Sequence, residues 1–548
     1  MTERAGAADA ATKGGSIVLA TLAAGQFLMT LDSSVMNVSI ATVAKDVGTT
    51  VTGIQTAITL YTLVMASLMI TGGKIGGIIG RKRAFAIGCV IYGCGSFVTS
   101  IAPTLPVLMF GWSFLEGVGA ALIMPAIVAL VASNFGPAER PRAYGLVMSA
   151  GAIAVAAGPL IGGLFTTYLS WRLVFAGEVI IVLGILLLTR RMADAEPEDR
   201  VRLDLVGTGL SALGLGLVVF GILRSGEWGL VRPNASAPSW LGLSPSIWLM
   251  LGGGVVLWLF LSWESRRMAH DQEPLLDPEI LQNVELRGGL VVFFFQYLLQ
   301  AGLFFAVPLF LSVALGLSAI DTGVRLLPLS ITLLLAAAGI PKLRPNASPR
   351  RVIQAGILAL FAGIVVMIVG LEEGAGAEIV TWPMLLAGLG IGALASQLGA
   401  VTVSSVPDEQ SGEVGGLQNT ATNLGASVGT ALAGAVLIST LTTSFLLGID
   451  QNPAVPDSVK QSASVELSAG IPFVSDADLE KALDDAGVPA ETTDAIVDEN
   501  STARLDALRA SLSALAVIAL IALFFTRRIP QHQAAVVKEQ PTAQGPFH

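Results

Sequence analysis

The stretch from Ala84 to Ala132 decides the fold class: it reads AFAIGCVIYGCGSFVTSIAPTLPVLMFGWSFLEGVGAALIMPAIVALVA. It contains two apolar runs, 84–101 and 105–132, and its single charged residue is Glu116. A helix of about 20 apolar residues spans the hydrocarbon core of a bilayer, whereas a strand of a membrane barrel needs about 10 residues. The stretch therefore predicts two membrane-spanning helices joined by a short turn.

Similar runs recur along the chain, and the composition agrees with them. Hydrophobic residues make up 53% of the 548 residues, charged residues only 13%, and the mean hydropathy is +0.73. Soluble domains carry about 25% charged residues, and lipid admits only helices or closed barrels. We therefore predict an all-α integral membrane protein with fourteen transmembrane helices. The runs are 15–40, 53–75, 84–101, 105–132, 143–168, 172–189, 204–224, 246–263, 287–313, 319–341, 351–371, 379–404, 414–446 and 506–526.

The runs form two groups of six with a pair between them, which predicts two six-helix bundles plus two extra central helices. Transporters with such paired bundles bind their ligands near the bilayer midplane, between the halves. The predicted divisions are a cytoplasmic tail at 1–14, a bundle at 15–189, a linker with two extra helices at 190–286, a bundle at 287–526 and a cytoplasmic tail at 527–548.

Basic residues indicate the orientation of the helices. If the N-terminus is cytoplasmic, the loops on the inner side carry clusters of Lys and Arg, and the outer loops carry few. This is the positive-inside rule, and it predicts a multi-pass protein of the inner (plasma) membrane with both termini cytoplasmic. The inner-loop residues are Lys74, Arg81, Lys82, Arg83, Arg140, Arg142, Arg190, Arg191, Arg200, Arg202, Lys342, Arg344, Arg350, Arg351, Arg527 and Arg528.

The acidity of the chain is concentrated in one predicted extracytoplasmic loop, 447–505, between the last two helices. Residues 445–505 hold twelve acids and three bases, an excess that equals the chain's net charge of −9. The low pI therefore gives no reason to expect a nucleic-acid partner. Ser475 and Asp478 resemble a capping box, so a small helical cap and a solvated linker are equally supported interpretations.

Groupings typical of enzymes or metal sites are not apparent in the sequence. Cys89 and Cys94 lie within one apolar run, where a free cysteine packs as a small hydrophobe. The three histidines, His270, His532 and His548, are scattered in polar segments. We expect neither an enzyme, a metal site nor a cofactor.

Three of the acidic residues inside apolar runs are candidates for function, because an ionised side chain within the membrane is costly and usually functional. Asp32 stands in the first run, within Leu31–Val38, and is the strongest candidate for a group that takes up and releases a proton. Glu116 of the fourth run is a candidate relay partner for Asp32, or a site for a substrate cation. For Glu178, near the predicted outer end of the sixth run, a hydrated or snorkelling acid is at least as well supported as a functional one.

Polar side chains within other runs are candidates for lining a central cavity. Gln296 and Gln300 are four positions apart and share a helix face. For any one of these residues, a hydrogen bond between helices is an equally simple explanation. The cavity candidates are Asn37, Gln296, Gln300, Gln397, Gln418, Asn419 and Asn423.

Two glycine-rich segments are candidates for conformational motifs. The first joins the second and third runs with a tight turn and a basic cluster. The second, 145–163, contains a Gly-Pro pair inside a run, which removes a backbone hydrogen bond and kinks the helix. The residues concerned are Gly73, Gly76, Gly77, Gly80, Arg81 and Lys82 in the first segment, and Gly145, Gly158, Pro159, Gly162 and Gly163 in the second.

Taken together, these segments resemble the fourteen-helix drug:proton antiporter branch of the major facilitator superfamily. Leu31–Val38 looks like the first-helix motif of that branch, Gly73–Arg83 like the superfamily's loop motif, and Gly145–Gly163 like the antiporter motif, followed by Trp171 and Arg172. The resemblance implies that Asp32 couples transport to protons. It also implies that the glycine motifs shape the exchange cycle.

The chain departs from the family pattern at four positions. The loop motif normally has Asp where this chain has Gly77, and the fourth-helix motif has Arg and Gln at Ser113 and Glu116. Ala154 stands where Gly is usual in the antiporter motif. A positive charge near the coupling acid is therefore missing and an extra acid is present, so the resemblance implies proton chemistry through both Asp32 and Glu116.

The function predicted from the sequence is proton-coupled multidrug efflux by alternating access. The expected partners are small hydrophobic or cationic substrates, protons and membrane lipids, with no cofactor beyond the proton gradient and a functional monomer. The first alternative is a lipid or lipid-conjugate exporter, which the outer cap and the long late helices would suit. The second is a non-transporting membrane sensor or scaffold, suggested by the departures at Gly77 and Ser113.

Overall fold

A computed structural model describes most of the chain. Helices account for nearly all of the regular structure, and within the described ranges the sole β feature is an isolated bridge between Trp240 and Leu243. The described residues are 2–135, 140–192, 203–229, 231–233, 237–270, 272, 274–344, 347–403, 405–406, 411–457, 460, 473–485 and 488–531.

Sixteen α-helices follow one another along the described chain, and a π-helix, Met109–Glu116, links the fourth and fifth of them. The helices are α1 Thr2–Asp46, α2 Val51–Ile79, α3 Arg81–Ser100, α4 Leu105–Leu108, α5 Gly117–Asn134, α6 Arg140–Tyr168, α7 Arg172–Thr189, α8 Leu205–Trp228, α9 Pro245–Met268, α10 Val284–Leu309, α11 Ala319–Leu343, α12 Pro349–Gly370, α13 Thr381–Val403, α14 Ser411–Gln451, α15 Asp476–Asp485 and α16 Ala490–Phe525.

Thirteen helical segments of the described chain are long and apolar enough to cross a membrane. One of them combines α4, the π-helix and α5 in a single span, Leu105–Val131. In α6 the apolar stretch is shorter, Ile153–Tyr168. The all-α, multi-pass membrane fold is therefore confirmed, whereas the count of fourteen spans stays a prediction that depends on α6.

The two halves of the molecule meet along two helix pairs, α6 with α11 and α2 with α14. Small residues bring these helices together: a Cβ on Gly163 would lie 2.6 Å from the carbonyl oxygen of Ala319, and one on Gly323 would collide with the carbonyl of Pro159. Across the second pair, Gln55 Nε2 donates to the carbonyl of Thr430 at 2.9 Å. These contacts lie toward the predicted outer side, where the halves are closed against each other.

The extra helices α8 and α9 pack tightly on each other, and α8 also contacts α2 and α14. Their predicted inner ends are fixed by Asp204, which accepts hydrogen bonds from Val206 N and Trp263 Nε1 and pairs with Arg267 at 3.4 Å. Glu264, fully buried, accepts a 2.7 Å bond from the backbone N–H of Leu275. The linker predicted at 190–286 is thus an anchored hairpin where it is described.

The acidic segment forms a folded cap. Ser475 Oγ caps α15 by accepting from Asp478 N at 3.2 Å, as the sequence pattern predicted. The buried Arg504 of α16 donates to Val474 O at 2.7 Å and to Asp476 Oδ1 at 2.6 Å, which ties α15 to the extended helix. The helical-cap interpretation therefore holds for 473–485 and 488–505, while residues 461–472 and 486–487 lie outside the described ranges.

Candidate functional site: a buried carboxyl cluster and an adjoining cavity

Asp32 lies near the middle of α1 and is fully buried. Its Oδ1 atom accepts a 2.8 Å hydrogen bond from the indole Nε1 of Trp112, and its Oδ2 atom has no hydrogen-bond partner among the described residues. The Trp112 ring stacks on Tyr61, with ring centroids 5.0 Å apart. The Tyr61 hydroxyl is buried next to this carboxyl. The predicted coupling acid therefore sits in a closed aromatic pocket.

The π-helix places a second acid beside Asp32. The sequence predicted an uninterrupted span over 105–132, but Met109–Glu116 winds more widely than an α-helix. Such segments are rare and are found mainly at functional sites. Gly111 packs so closely that a Cβ there would lie 2.8 Å from Thr99 Oγ1. Ser113 Oγ donates to Ala57 O at 2.8 Å, so the residue that replaces the family's Arg fastens the π-helix to α2.

Glu116 ends the π-helix and is fully buried. Thr99 Oγ1 donates to its Oε1 atom at 3.1 Å, while Oε2 has no hydrogen-bond partner within the described structure. The close approach of α3 requires small residues, because a Cβ on Gly95 would lie 2.6 Å from Glu116 Cγ. Glu116 is thus held against α3, and its role as a relay partner for Asp32 stays a prediction.

Glu178 of α7 is also buried, with 1% of its surface exposed. Tyr92 and Ser96, one turn apart on α3, donate to its Oε2 atom at 3.2 and 3.1 Å. Its Oε1 atom has no described hydrogen-bond partner. The interpretation of Glu178 as a hydrated or snorkelling acid is therefore wrong. The hydroxyl pair at positions 92 and 96, spaced to face one neighbouring helix, was the signal available in the sequence.

The three carboxyls converge: one oxygen from each of Asp32, Glu116 and Glu178 lies within 4.8 Å of the others. We call this set the carboxyl cluster. In each member one oxygen accepts a hydrogen bond from a neutral donor and the other oxygen has no described partner. None of the ion pairs formed within the described ranges involves these acids. From the sequence we expected no group of possible metal ligands, because these three residues lie far apart in the chain.

A small cavity lies between the two halves, next to the same helix α1. Its volume is about 10 Å³, room for roughly one water molecule. We call it the interface cavity. Its walls are mainly apolar and come from α1, α6, α10 and α11. The lining residues are Ser34, Asn37, Val38, Val155, Pro159, Phe304, Pro308, Leu326, Leu329 and Ser330.

Helix α1 separates the two features. Successive residues of an α-helix are rotated by about 100°, so Ser34 lies roughly 200° and Asn37 roughly 140° around the axis from Asp32. Asp32 accordingly contacts the carboxyl cluster while Ser34 and Asn37 line the interface cavity. A ligand in the cavity and a proton on Asp32 therefore occupy opposite faces of one helix.

Of the seven cavity candidates, Asn37 lines the interface cavity, and its amide also donates to Ser33 O at 2.8 Å. Gln418 accepts a hydrogen bond from Thr402 Oγ1 at 3.2 Å. This is a hydrogen bond between helices, which was the alternative to a cavity-lining role. Asn419 and Asn423 donate to carbonyls of their own helix. For the glutamines at 296, 300 and 397, a role in lining a larger cavity stays a prediction.

The antiporter-like motif of α6 provides the close contacts around this cavity. A Cβ on Gly158 would collide with the Ser34 side chain, and one on Gly162 would lie 3.0 Å from Val35 Cα. Gly163 faces α11 at Ala319. Pro159 lines the cavity itself, whereas Gly145 lies in the same helix near its predicted inner end. The motif thus contacts α1 and the opposite half at once.

The loop-like motif fixes the turn between α2 and α3. Gly80 has φ +98°, a backbone conformation that favours glycine. Arg81 Nη1 donates to Gly73 O at 2.6 Å across the turn, and a Cβ on Gly76 would lie 3.3 Å from the same guanidinium. Lys82 Nζ donates to Met192 O at 2.7 Å, beyond the end of α7. Gly77, where the family has Asp, is buried.

Comparison with known proteins identifies the family. The model of the Major Facilitator Superfamily matches residues 22–430. The chain belongs to the major facilitator superfamily. As a member it is a transporter and not an enzyme, and its similarity to relatives extends over most of its length.

Three curated relatives of this superfamily member illustrate that similarity. It is 30% identical to puromycin resistance protein pur8 of Streptomyces alboniger, over 76% of this chain and 81% of that protein. It is 28% identical to the probable actinorhodin transporter of Streptomyces coelicolor, over 82% of this chain and 76% of that protein. It is 26% identical to the multidrug efflux pump LfrA of Mycolicibacterium smegmatis, over 93% of this chain and 96% of that protein.

Solved structures show the same superfamily fold. A bacterial homologue of the human lysosomal transporter Spinster, in an inward-facing and unoccupied conformation, matches with a TM-score of 0.58 at 15% identity. The match covers 94% of this chain and 98% of that one. The arrangement of two helical halves is therefore that of known major facilitator transporters.

Proposed function

We propose that this protein is a proton-coupled exporter of lipophilic or cationic small molecules, located in the plasma membrane with both termini cytoplasmic. The names of its relatives, which describe antibiotic resistance and multidrug efflux, support the export of small molecules. The single observation that carries proton coupling is the position of α1. It places Asp32 in the carboxyl cluster and Ser34 and Asn37 in the interface cavity.

The coupling step follows from the electrostatics of burial. An ionised carboxyl cluster that has no basic partner is destabilised in a dry, tightly packed environment, whereas a protonated cluster is stable there. A change in protonation therefore alters the packing around Asp32 and Trp112, and α1 transmits the change to its opposite face. Protonation from outside releases the substrate outward, and deprotonation toward the cytoplasm lets the next substrate bind.

The exchange is reciprocal by thermodynamic necessity. If a bound substrate disfavours protonation of the cluster, protonation disfavours the substrate by the same free energy. Each charge that crosses the membrane contributes about 2.3 kcal/mol per 100 mV, so one proton provides a useful driving force. The two halves rock against each other around the cavity between them.

The interface cavity is the closed centre of the substrate pathway. Small-molecule sites occupy about 300–1,000 Å³, so a volume of about 10 Å³ must expand before a substrate can bind. The halves are in contact toward the predicted outer side, at Gly163 with Ala319 and at Gln55 with Thr430. The conformation therefore corresponds to an outwardly closed stage of alternating access.

The mainly apolar walls of the cavity favour lipophilic substrates. Glu116 was a candidate for recognising a substrate cation, but it belongs to the carboxyl cluster and is absent from the described lining of the cavity. Its role is therefore proton chemistry with Asp32.

Lipid export is the second candidate, favoured by the lengths of α14 and α16. These helices have 41 and 36 residues, or roughly 60 and 54 Å, whereas the hydrocarbon core is about 30 Å thick. Their extensions bear the acidic cap beside the predicted outer leaflet. Acyl-chain cargo that protects the protein from thermal unfolding, with no response to lipophilic cations, would favour this candidate.

Transport in inverted membrane vesicles tests the proposal. The probe is a fluorescent lipophilic cation, and the comparison is between the intact protein and vesicles without it. We expect uptake that collapses when the proton gradient is dissipated. Uptake no greater than in empty vesicles, for both cationic and neutral lipophilic probes, would reject drug export.

A further inference from the structure

Glu178 is the member of the carboxyl cluster to which the mechanism above assigns no role. It lies on α7, is 1% exposed, and has one oxygen held by two hydroxyl donors while the other has no described partner. A carboxyl in this setting is neither a solvated surface acid nor half of an ion pair within the described ranges. Its nearest acidic neighbours are Asp32 and Glu116.

We propose that Glu178 is a third proton-carrying group, and that Asp32, Glu116 and Glu178 titrate as one unit. The exchanged proton then belongs to the cluster and not to Asp32 alone. This inference rests on the proposed proton coupling and names the groups that perform it. One oxygen of each carboxyl lies within 4.8 Å of the others, a separation at which like charges repel strongly in a buried site.

The surroundings of Glu178 leave this repulsion uncompensated. No Lys or Arg in the described part of the chain forms an ion pair with the cluster. Ionisation of any one carboxyl therefore disfavours ionisation of the other two, which is the condition for coupled titration. The titratable groups that face Glu178 from the packed elements are Asp32 of α1, Tyr61 of α2, Tyr92 of α3 and Glu116 of the π-helix.

Helix α3 holds two of the three carboxyls, Glu178 and Glu116, in this relation. Its hydroxyls at positions 92, 96 and 99 lie on one helix face, with spacings of four and three residues. Tyr92 and Ser96 donate to Glu178, while Thr99 donates to Glu116. One row of neutral donors therefore binds two acids from different helices. Neutral donors stabilise a carboxyl in either protonation state, as a group that gains and loses a proton requires.

The test is infrared spectroscopy of the purified full-length protein in lipid, in which the carboxylic C=O band is followed through a pH titration. In Glu178→Gln we expect the midpoint of the remaining cluster carboxyls to move to lower pH by at least about one unit, because one repelling group is gone. The matched control is Glu264→Gln, a buried acid of α9 outside the cluster, which should remove its own band and leave the other midpoints unchanged. Unchanged midpoints in Glu178→Gln would overturn the proposal.

A second measurement separates this inference from the proposed export function. Substrate-induced proton release is recorded with a pH dye in weak buffer, with tetraphenylphosphonium as the probe. We expect Asp32→Asn to reduce the release and the triple variant Asp32→Asn, Glu116→Gln, Glu178→Gln to abolish it. Complete loss of proton release in Asp32→Asn alone, with normal release in Glu178→Gln, would overturn the proposal that the three carboxyls share the proton. The infrared titration needs no substrate, so it decides the inference even if the export function fails.

Discussion

Asp32 and Ser34 stand two positions apart in the chain, yet they face different sites on opposite sides of α1. Asp32 accepts a hydrogen bond from Trp112 inside the carboxyl cluster, and Ser34 lines the interface cavity against Gly158 of α6. A rigid helix that is common to both sites gives a direct physical link between them. Substrate and proton need not touch for one to alter the binding of the other.

Removing the indole N–H donor of Trp112 should weaken the coupling between the carboxyl cluster and the interface cavity. Trp112→Phe keeps an aromatic ring next to Tyr61 but removes the N–H that donates to Asp32. A hydrogen bond to a charged group contributes about 1.5–3 kcal/mol, so we expect lower thermal stability and weaker gradient-driven transport. The control is Trp258→Phe, a change of the same chemistry at a 66% exposed position of α9. Equal effects of the two substitutions on coupling would contradict the role of Trp112.

Gly158 should tolerate no side chain. A Cβ there would collide with Ser34, so Gly158→Ala must separate α6 from α1 or displace the α1 segment that carries Asp32. Overpacking of this kind costs about 1–3 kcal/mol, and we expect most of the transport to be lost. Gly184→Ala in α7, where a Cβ meets nothing within 4 Å, is the control. Wild-type transport in Gly158→Ala would show that the close contact is dispensable.

The outer cap should depend on Arg504. Arg504→Met removes the bonds to Val474 O and Asp476 while it keeps most of the buried side-chain volume. Each lost hydrogen bond contributes about 1 kcal/mol, so the cap should open more often and be cleaved faster by protease between α15 and α16. Lys481→Met on the exposed face of α15 serves as the control. Unaltered cleavage in Arg504→Met would mean that other contacts hold the cap.

Hydropathy predicted most of the fold because lipid imposes a simple rule on every span. Runs of about 20 apolar residues became helices, and the helical cap was one of the two interpretations that Ser475 and Asp478 left open. The π-helix was not foreseen, since no residue type requires it. It lies where Gly95 of α3 and Gly111 of the fourth span allow the two helices to pack closely.

The site was predicted only in part, for a similar reason. Asp32 and Glu116 stand out because a charge within an apolar run is conspicuous. Glu178 was left undecided, because distance from the end of a run does not tell whether a side chain faces lipid, water or another helix. Its burial depends on Tyr92 and Ser96 of α3, which lie more than 80 positions earlier in the chain.

The most direct test of the central claim uses one assay for variants on the two faces of α1. It measures probe accumulation with and without a proton gradient and takes the ratio of the two values. We predict that Asp32→Asn with Glu116→Gln lowers this ratio well below the wild-type value while downhill movement persists. Asn37→Val, on the cavity face, should change the apparent affinity for the probe and keep the ratio. A wild-type ratio in the double variant, or a ratio of one in Asn37→Val with probe binding intact, would contradict the account.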